Sequence, residues 1–246
     1  MTIYISFRKI AVILILICLG VGCTRKFEEI NTDPTLVTKN LIKPSMIFSA
    51  VLKNSIFNSY NNDIINEYSG FYANQASGVI FQNMNWVEPF NSFYRSQLIN
   101  ISEVIRLTAD DPTKANMNAC AKIWKVWIAH QLTDAYGDVP YSEAVKDLDE
   151  VINQPVYDTQ ESVYKAMLGE LKDASAQLTD DPSRLSFGGA DLLFTGDVDK
   201  WKRFANSLRF RLAIRVRFAD ASLAQQHFTE VSALPLIDNN SFNAFL

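Results

Sequence analysis

The sequence predicts an all-α protein. From Pro44 onward, apolar residues recur at three- and four-residue spacing, clusters of Pro, Gly and Asp cut the chain into segments of helical length, and cap motifs stand at several of the cuts. Hydrophobic residues make up 48% of the chain and aromatics 12%, enough for a packed core and unlike a disordered polymer.

Taken in order, the helical segments read from the pattern are 45–60, 62–80, 89–108, 113–135, 159–179, 198–218 and 220–233. The segment 113–135 is the clearest. Lys114, Asn118, Lys122 and Lys125 form a polar stripe, while Ala121, Trp124, Ile128, Leu132 and Ala135 recur on an apolar one that Cys120, Ile123 and Trp127 widen. Gly137 tolerates the left-handed conformation of a helix C-cap, and Pro140 forbids resumption. Asp158 followed by Glu161 reads as a capping box opening the next helix, whose apolar face is Val163, Met167, Leu168, Leu171, Ala174 and Leu178. The stretch from Arg209 to Phe218 alternates apolar and basic residues, a strand-like period of two. It nevertheless continues the helical stripe of Trp201, Phe204, Ala205 and Leu208 through Leu212 and Val216 without a Gly or Pro, so helix is the expectation.

Asp-Asp-Pro followed by a hydroxyl and a basic residue occurs at 110–114 and again at 180–184. The spacing fits two periods of a tetratricopeptide-like repeat. It equally fits one helical hairpin repeated around an insertion at 136–158, or two unrelated turns built from residues that favour turns.

The amino terminus reads as an export signal. Arg8 and Lys9 precede an apolar run from Ile10 to Leu19, then small residues, then Cys23. The run is about half the twenty residues needed to span a bilayer, and a cleavage site ending at cysteine points to lipoprotein processing with acyl chains on Cys23. The expected division is a signal peptide at 1–22, a lipidated tether at 23–43 and a helical domain at 44–246. Loss of Arg8 and Lys9 with the signal takes the formal net charge from −4 to about −6. Such a chain has no electrostatic basis for nucleic-acid binding, and its membrane attachment must come from the lipid. Cys18 leaves with the signal and Cys23 is acylated, so Cys120 has no disulfide partner. The polar run from Asn239 to Asn243, followed by apolar Phe245 and Leu246, reads as a chain interrupted before its next element, with Val231, Leu234, Leu236, Phe242 and Phe245 left uncovered.

No catalytic, metal or cofactor constellation is read. His130 and Asp134 share a helix face, which reads as a hydrogen bond on a helix surface, because zinc needs three or four ligands and the other histidine is His227. Asp134, Asp138 and Glu143 resemble paired glycosidase carboxylates less than they resemble turn and cap residues around Gly137. The arginines 209, 211, 215 and 217 read as partners for carboxylates on neighbouring helices. Sugar binding asks for an aromatic platform beside amides that reach ring hydroxyls. Tyr72, Gln75, Asn83, Asn85 and Trp86 supply that mixture, with Trp86 set in an amide-rich loop, whereas Trp124, Trp127 and Trp201 lie in helix stripes and read as core.

Several phrases carry a family resemblance: Ile30-Asn31-Thr32-Asp33-Pro34, the stretch from Leu132 to Ala144 (Leu-Thr-Asp-Ala-Tyr-Gly-Asp-Val-Pro-Tyr-Ser-Glu-Ala), Gly196-Asp197, Lys200-Trp201, and Phe204 to Arg209 with Arg211 and Arg215 beyond. In this order, after a lipidated cysteine, they resemble the SusD/RagB family of nutrient-binding outer-membrane lipoproteins, in its SusD-like branch. The resemblance implies an all-α, tetratricopeptide-like helix-pair scaffold, a surface location, a SusC-like TonB-dependent transporter as partner, and a glycan or peptide ligand. It also makes this chain the N-terminal part of a longer family chain. The alternatives are a helical adaptor of the transporter complex without its own ligand, and a truncated fragment without function.

Overall fold

The computed structural model describes residues 42–60, 87–144 and 154–245. Helix dominates them, and the pairing between Val139 and Asp158 is an isolated antiparallel bridge rather than a sheet. The helices are α1 (Pro44–Tyr60), α2 (Val87–Ser92), α3 (Ile99–Ala109), α4 (Ala115–Tyr136), α5 (Gln160–Gln177), α6 (Val198–Val216) and α7 (Ala221–Ser232). A π-helical stretch, Phe93–Leu98, joins α2 to α3, with the Ile99 N–H donating five residues back to the Tyr94 carbonyl. The expected segment 62–80 lies outside the described residues.

From α3 onward each helix packs on the next in chain order, and α1 lies against α3 and α4. Two helix pairs result, α3–α4 and α5–α6, each joined through one of the Asp-Asp-Pro turns. Each turn is closed locally by its second aspartate: Asp111 Oδ1 accepts from the Thr113 N–H at 3.0 Å and Asp181 Oδ1 from the Ser183 N–H at 2.9 Å. The turns also meet. The Leu185 N–H donates to the Thr113 carbonyl at 2.6 Å, and the Arg184 guanidinium donates to the Pro112 carbonyl. Buried Asn116 joins the turns from the next residues along, accepting from the Thr179 N–H at 3.0 Å and donating to the Thr179 carbonyl at 2.9 Å. The repeated phrase therefore marks equivalent corners of two stacked hairpins, separated by the long connection between α4 and α5. This is an all-α, tetratricopeptide-like arrangement.

The core is aromatic. Trp124 and Trp127 stack at 4.2 Å, Trp201 meets Trp124 edge-on at 6.3 Å, and Phe48 of α1 stacks on Phe187 at 3.9 Å. All three tryptophans are buried, and Trp124 donates its indole N–H to the Ser55 hydroxyl at 3.0 Å. The whole expected apolar face of α5, from Val163 to Leu178, is buried as well. The basic, alternating stretch is helical to Val216 because its apolar side, Leu208, Leu212 and Val216, continues the stripe from Trp201 into the core. Cys120 is a buried free thiol, pushed up in pKa by burial.

Behind Phe187 and Phe194 the loop before α6 closes on one carboxylate. Asp191 is fully buried and accepts from the N–H groups of Leu193, Phe194 and Gly196 at 3.0, 3.2 and 2.9 Å and from the Trp201 indole at 2.7 Å. Gly196 has φ 82°, and a Cβ there would fall 2.5 Å from Ser186 Oγ and 2.7 Å from the Gly188 nitrogen. Asp197 then caps α6, accepting from the Lys200 N–H at 3.1 Å. The Gly-Asp and Lys-Trp phrases are thus the start of α6 and its anchor in the core.

Three expectations are corrected. Thr159, not Asp158, is the N-cap of α5, accepting from the Ser162 N–H at 3.2 Å. The Asp158 carboxylate is drawn instead to the Tyr141 and Ser142 amides at 2.8 and 2.7 Å, which need an acceptor where the chain leaves α4. Asn118 is not on a solvated stripe. It is buried against the end of α3, donating to the Ile105 carbonyl at 2.9 Å and to Thr108 Oγ1 at 3.0 Å. Val231 is not left uncovered but fully buried, and the segment after α7 folds back along α6. There Asn206 donates to the Pro235 carbonyl at 3.0 Å, and Arg203 donates to the Leu236 carbonyl at 2.8 Å while lying over the Phe242 ring. Leu234 and Phe245 do remain exposed.

Candidate functional site

Antiparallel hairpins put the Asp-Asp-Pro corners at one end of the stack. At the other end lie the C-termini of α4 and α6, the N-termini of α5 and α7, and residues 137–144 and 154–159 between α4 and α5. The phrase Leu132 to Ala144 builds this second end. The Gly137 N–H donates to the Thr133 carbonyl at 2.8 Å, and the glycine's φ of 75°, a conformation that disfavours a side chain, ends α4. Asp138 accepts from the Gln160 N–H at 2.8 Å, Val139 pairs with Asp158 through two backbone hydrogen bonds of 3.1 Å, and Glu143 accepts from the Val156 N–H at 3.2 Å. Tyr141 donates to Glu170 at 2.9 Å beneath the Lys125 ammonium. Asp138 and Glu143 therefore pin backbone rather than face one another as an acid and base pair. Their role as turn and cap residues follows from these bonds.

Two surfaces flank this end. The first is aromatic. Phe90 lies 5.0 Å from Tyr94 and 5.1 Å from Tyr136, the latter edge-on, and Tyr94 donates to the Pro140 carbonyl at 2.8 Å. Burial, with Tyr157 and Asp158 close by, pushes the Tyr94 hydroxyl far above the usual phenol range. Tyr157 is 62% exposed, while Phe90, Tyr94 and Tyr136 are half-buried, packed against the core with part of their surface reaching solvent. This surface begins four residues after Trp86. The sugar-contact residues read from sequence, Tyr72, Gln75, Asn83, Asn85 and Trp86, lie outside the described residues, as does Cys23.

The second is a polar cleft of about 500 Å³ between the ends of α4, α5, α6 and α7. The Arg215 guanidinium pairs with Asp134 at 2.8 Å and donates from Nε to the Tyr164 hydroxyl at 3.1 Å, and that hydroxyl donates to Asp134. Burial first, and the Asp134 carboxylate second, raise Tyr164 to about 12, so it stays a neutral donor. The pairing of Arg215 with a carboxylate on another helix matches the reading from sequence. Arg209, almost fully buried, does likewise: it bonds Glu230 and donates to His227 Nδ1 at 2.8 Å.

His130 does not hydrogen-bond Asp134 on a helix surface. Asp134 is taken by Arg215 and Tyr164, and His130 is buried beside Trp127 with its Nδ1 without a hydrogen-bond partner. Burial pushes its pKa down, with the neighbouring Arg211 charge acting in the same sense against Asp134. A neutral imidazole fits that apolar site. Among the described residues no group of His, Cys, Asp and Glu is placed to hold a metal ion.

Comparison with known proteins gives the lineage. A SusD-like family model, described as starch-binding and associating with outer membrane, matches residues 34–246. The chain belongs to the SusD-like family. A solved chitin-binding protein superposes with a TM-score of 0.71 at 29% identity, over 82% of this chain and 45% of its own. A SusD homologue from Parabacteroides distasonis does so with 0.73 at 26%, over 83% and 42%. A chitin-binding SusD homologue from Flavobacterium johnsoniae gives 0.61 at 25%, over 82% and 44%. The chain thus spans less than half the length of these relatives. None of the curated protein sequences matches it.

Proposed function

We propose that this protein is an outer-membrane lipoprotein, anchored through Cys23, that binds glycans at the cell surface and passes them to a SusC-like TonB-dependent transporter. The observation that carries the reading is the family match over nearly the whole chain after the signal segment. The chitin-binding protein at 29% identity supports a saccharide as the ligand class. The aromatic surface adds a physical reason. Phe90, Tyr94, Tyr136 and Tyr157 offer rings on which the C–H face of a sugar can stack, and the amide-rich segment ending at Trp86 leads directly into it. The role is binding rather than catalysis, because the carboxylates of the Leu132–Ala144 phrase are bonded to backbone amides, to Arg215 and to Tyr164.

The test is a binding isotherm of the chain with maltoheptaose and with chitohexaose, repeated for Tyr157→Ala and Trp86→Ala. Saturable binding to one of them, weakened about five- to 150-fold by either substitution, is expected from the loss of one stacking contact of roughly 1–3 kcal/mol. Absence of binding by the chain, alongside co-purification with a transporter from native membranes, would instead identify a helical adaptor without its own ligand.

A further inference from the structure

The polar cleft is separate from the aromatic surface, although both use the end of α4. Asp134 and Tyr136 are two residues apart on a helix, so their side chains leave it on nearly opposite sides. Three features of the cleft constrain what could occupy it. Its apolar side is formed by Val216, Ala219 and Leu223. Its opposing groups are a bonded triad, Asp134, Tyr164 and Arg215, whose members fix one another and leave further lone pairs and guanidinium N–H groups for a ligand. Its rim carries Gln160, Glu161 and Asp220.

Each feature removes a class of ligand. Three carboxylates against one guanidinium repel phosphate, sulfate and carboxylate groups. Lys165, paired with Glu161 at 2.5 Å, offsets part of the negative charge, so the cleft is no strong trap for a cation. A purely apolar ligand would strand the triad's polar groups without water. A group that both donates and accepts, and has an apolar face of its own, satisfies all three features: the hydroxyls and C–H faces of a sugar ring do so. The volume falls within the usual range of small-molecule sites and has room for one or two rings.

We propose that this cleft is a second saccharide site, for a neutral mono- or disaccharide unit, distinct from the aromatic surface. It rests on the glycan reading given above and extends it to a second place on the molecule. Two sites on one chain would hold a polymer more firmly than either alone, since the second contact becomes intramolecular.

The test is a backbone-amide NMR titration of the chain with maltose and with N,N′-diacetylchitobiose. Saturable shifts are expected at Gln160, Glu161 and Leu223, and they should persist in Tyr157→Ala. Leu223→Trp, which fills the cleft without removing a polar partner, should abolish them. Glu161→Ala, a change at a 72% exposed side chain that cannot threaten the fold, should weaken the site by about three- to tenfold. Shifts confined to the aromatic surface would overturn the second site while leaving glycan binding intact. Shifts at neither place would overturn both. Cleft shifts unchanged by Glu161→Ala and by Leu223→Trp would also overturn the assignment.

Discussion

Replacing Asp191 with alanine should be among the most damaging single changes to the described part of the protein. The carboxylate is fully buried, and among the described residues four N–H groups hold it. Two of these donors, the Trp201 indole and the Phe194 amide, belong to buried residues, while those of Leu193 and Gly196 are nearer water. A buried donor left without an acceptor costs about 1–3 kcal/mol, so the two buried groups alone give roughly 2–6 kcal/mol. The two donors nearer water add to this and relief of the carboxylate's own desolvation offsets part, so a net loss of about 2–5 kcal/mol is expected. Asp191→Asn keeps one acceptor oxygen but turns an NH2 toward two donors, and should lose about 2–4 kcal/mol. Urea unfolding followed by tryptophan fluorescence reports directly, because Trp201 is one of the partners. A loss below about 1 kcal/mol for Asp191→Ala would show that water replaces the carboxylate and that the loop is not organised around it.

Further outcomes follow from the same structure. Gly196→Ala places a Cβ 2.5 Å from Ser186 Oγ and 2.7 Å from backbone at φ 82°, and should lower the unfolding free energy in the same assay by about 2–4 kcal/mol. Trp124→Ala removes a core ring and its bond to Ser55, with an expected loss of about 3–5 kcal/mol in the same assay. Glu230 is lowered to about 2 by Arg209 first and Lys172 next. Its contribution is present above its ordinary pKa of 4.5 and is lost as pH falls from there toward 2, so the acid slope of the melting temperature should flatten in Glu230→Gln. Cys23→Ala should release the protein from the membrane fraction or block its maturation, as mass spectrometry of the amino-terminal peptide would show.

Helix positions were legible where burial on one side imposes a spacing that survives in sequence, as α5 shows; α4, buried on most sides, was marked instead by its unbroken helical length and by Gly137 and Pro140 at its end. The alternating stretch after Arg209 was ambiguous by pattern alone, and the stripe it shares with Trp201 decided it. Capping was legible only to within a residue. Asp158 and Thr159 both suit an N-cap, and the choice is made by Tyr141 and Ser142, seventeen and sixteen residues away, whose amides claim the aspartate. Asn118 and His130 read as surface groups because their partners, the end of α3 and the interior beside Trp127, are tertiary. The cleft has no local signature, since four helices each supply part of it. Only Asp134, inside a distinctive phrase, and Arg215, on a helix facing carboxylates, hinted at it. Tyr136, in that same phrase, could have been singled out as a platform, but helical spacing gave no sign that it stands beside Phe90.

The most direct test of the account is a crystal structure of the chain with a chito-oligosaccharide or a malto-oligosaccharide. Sugar is expected at the end formed by Gly137, Tyr136 and Tyr157, against the aromatic surface. Sugar bound instead at the Asp-Asp-Pro corners, with that surface empty at saturating ligand, would contradict it.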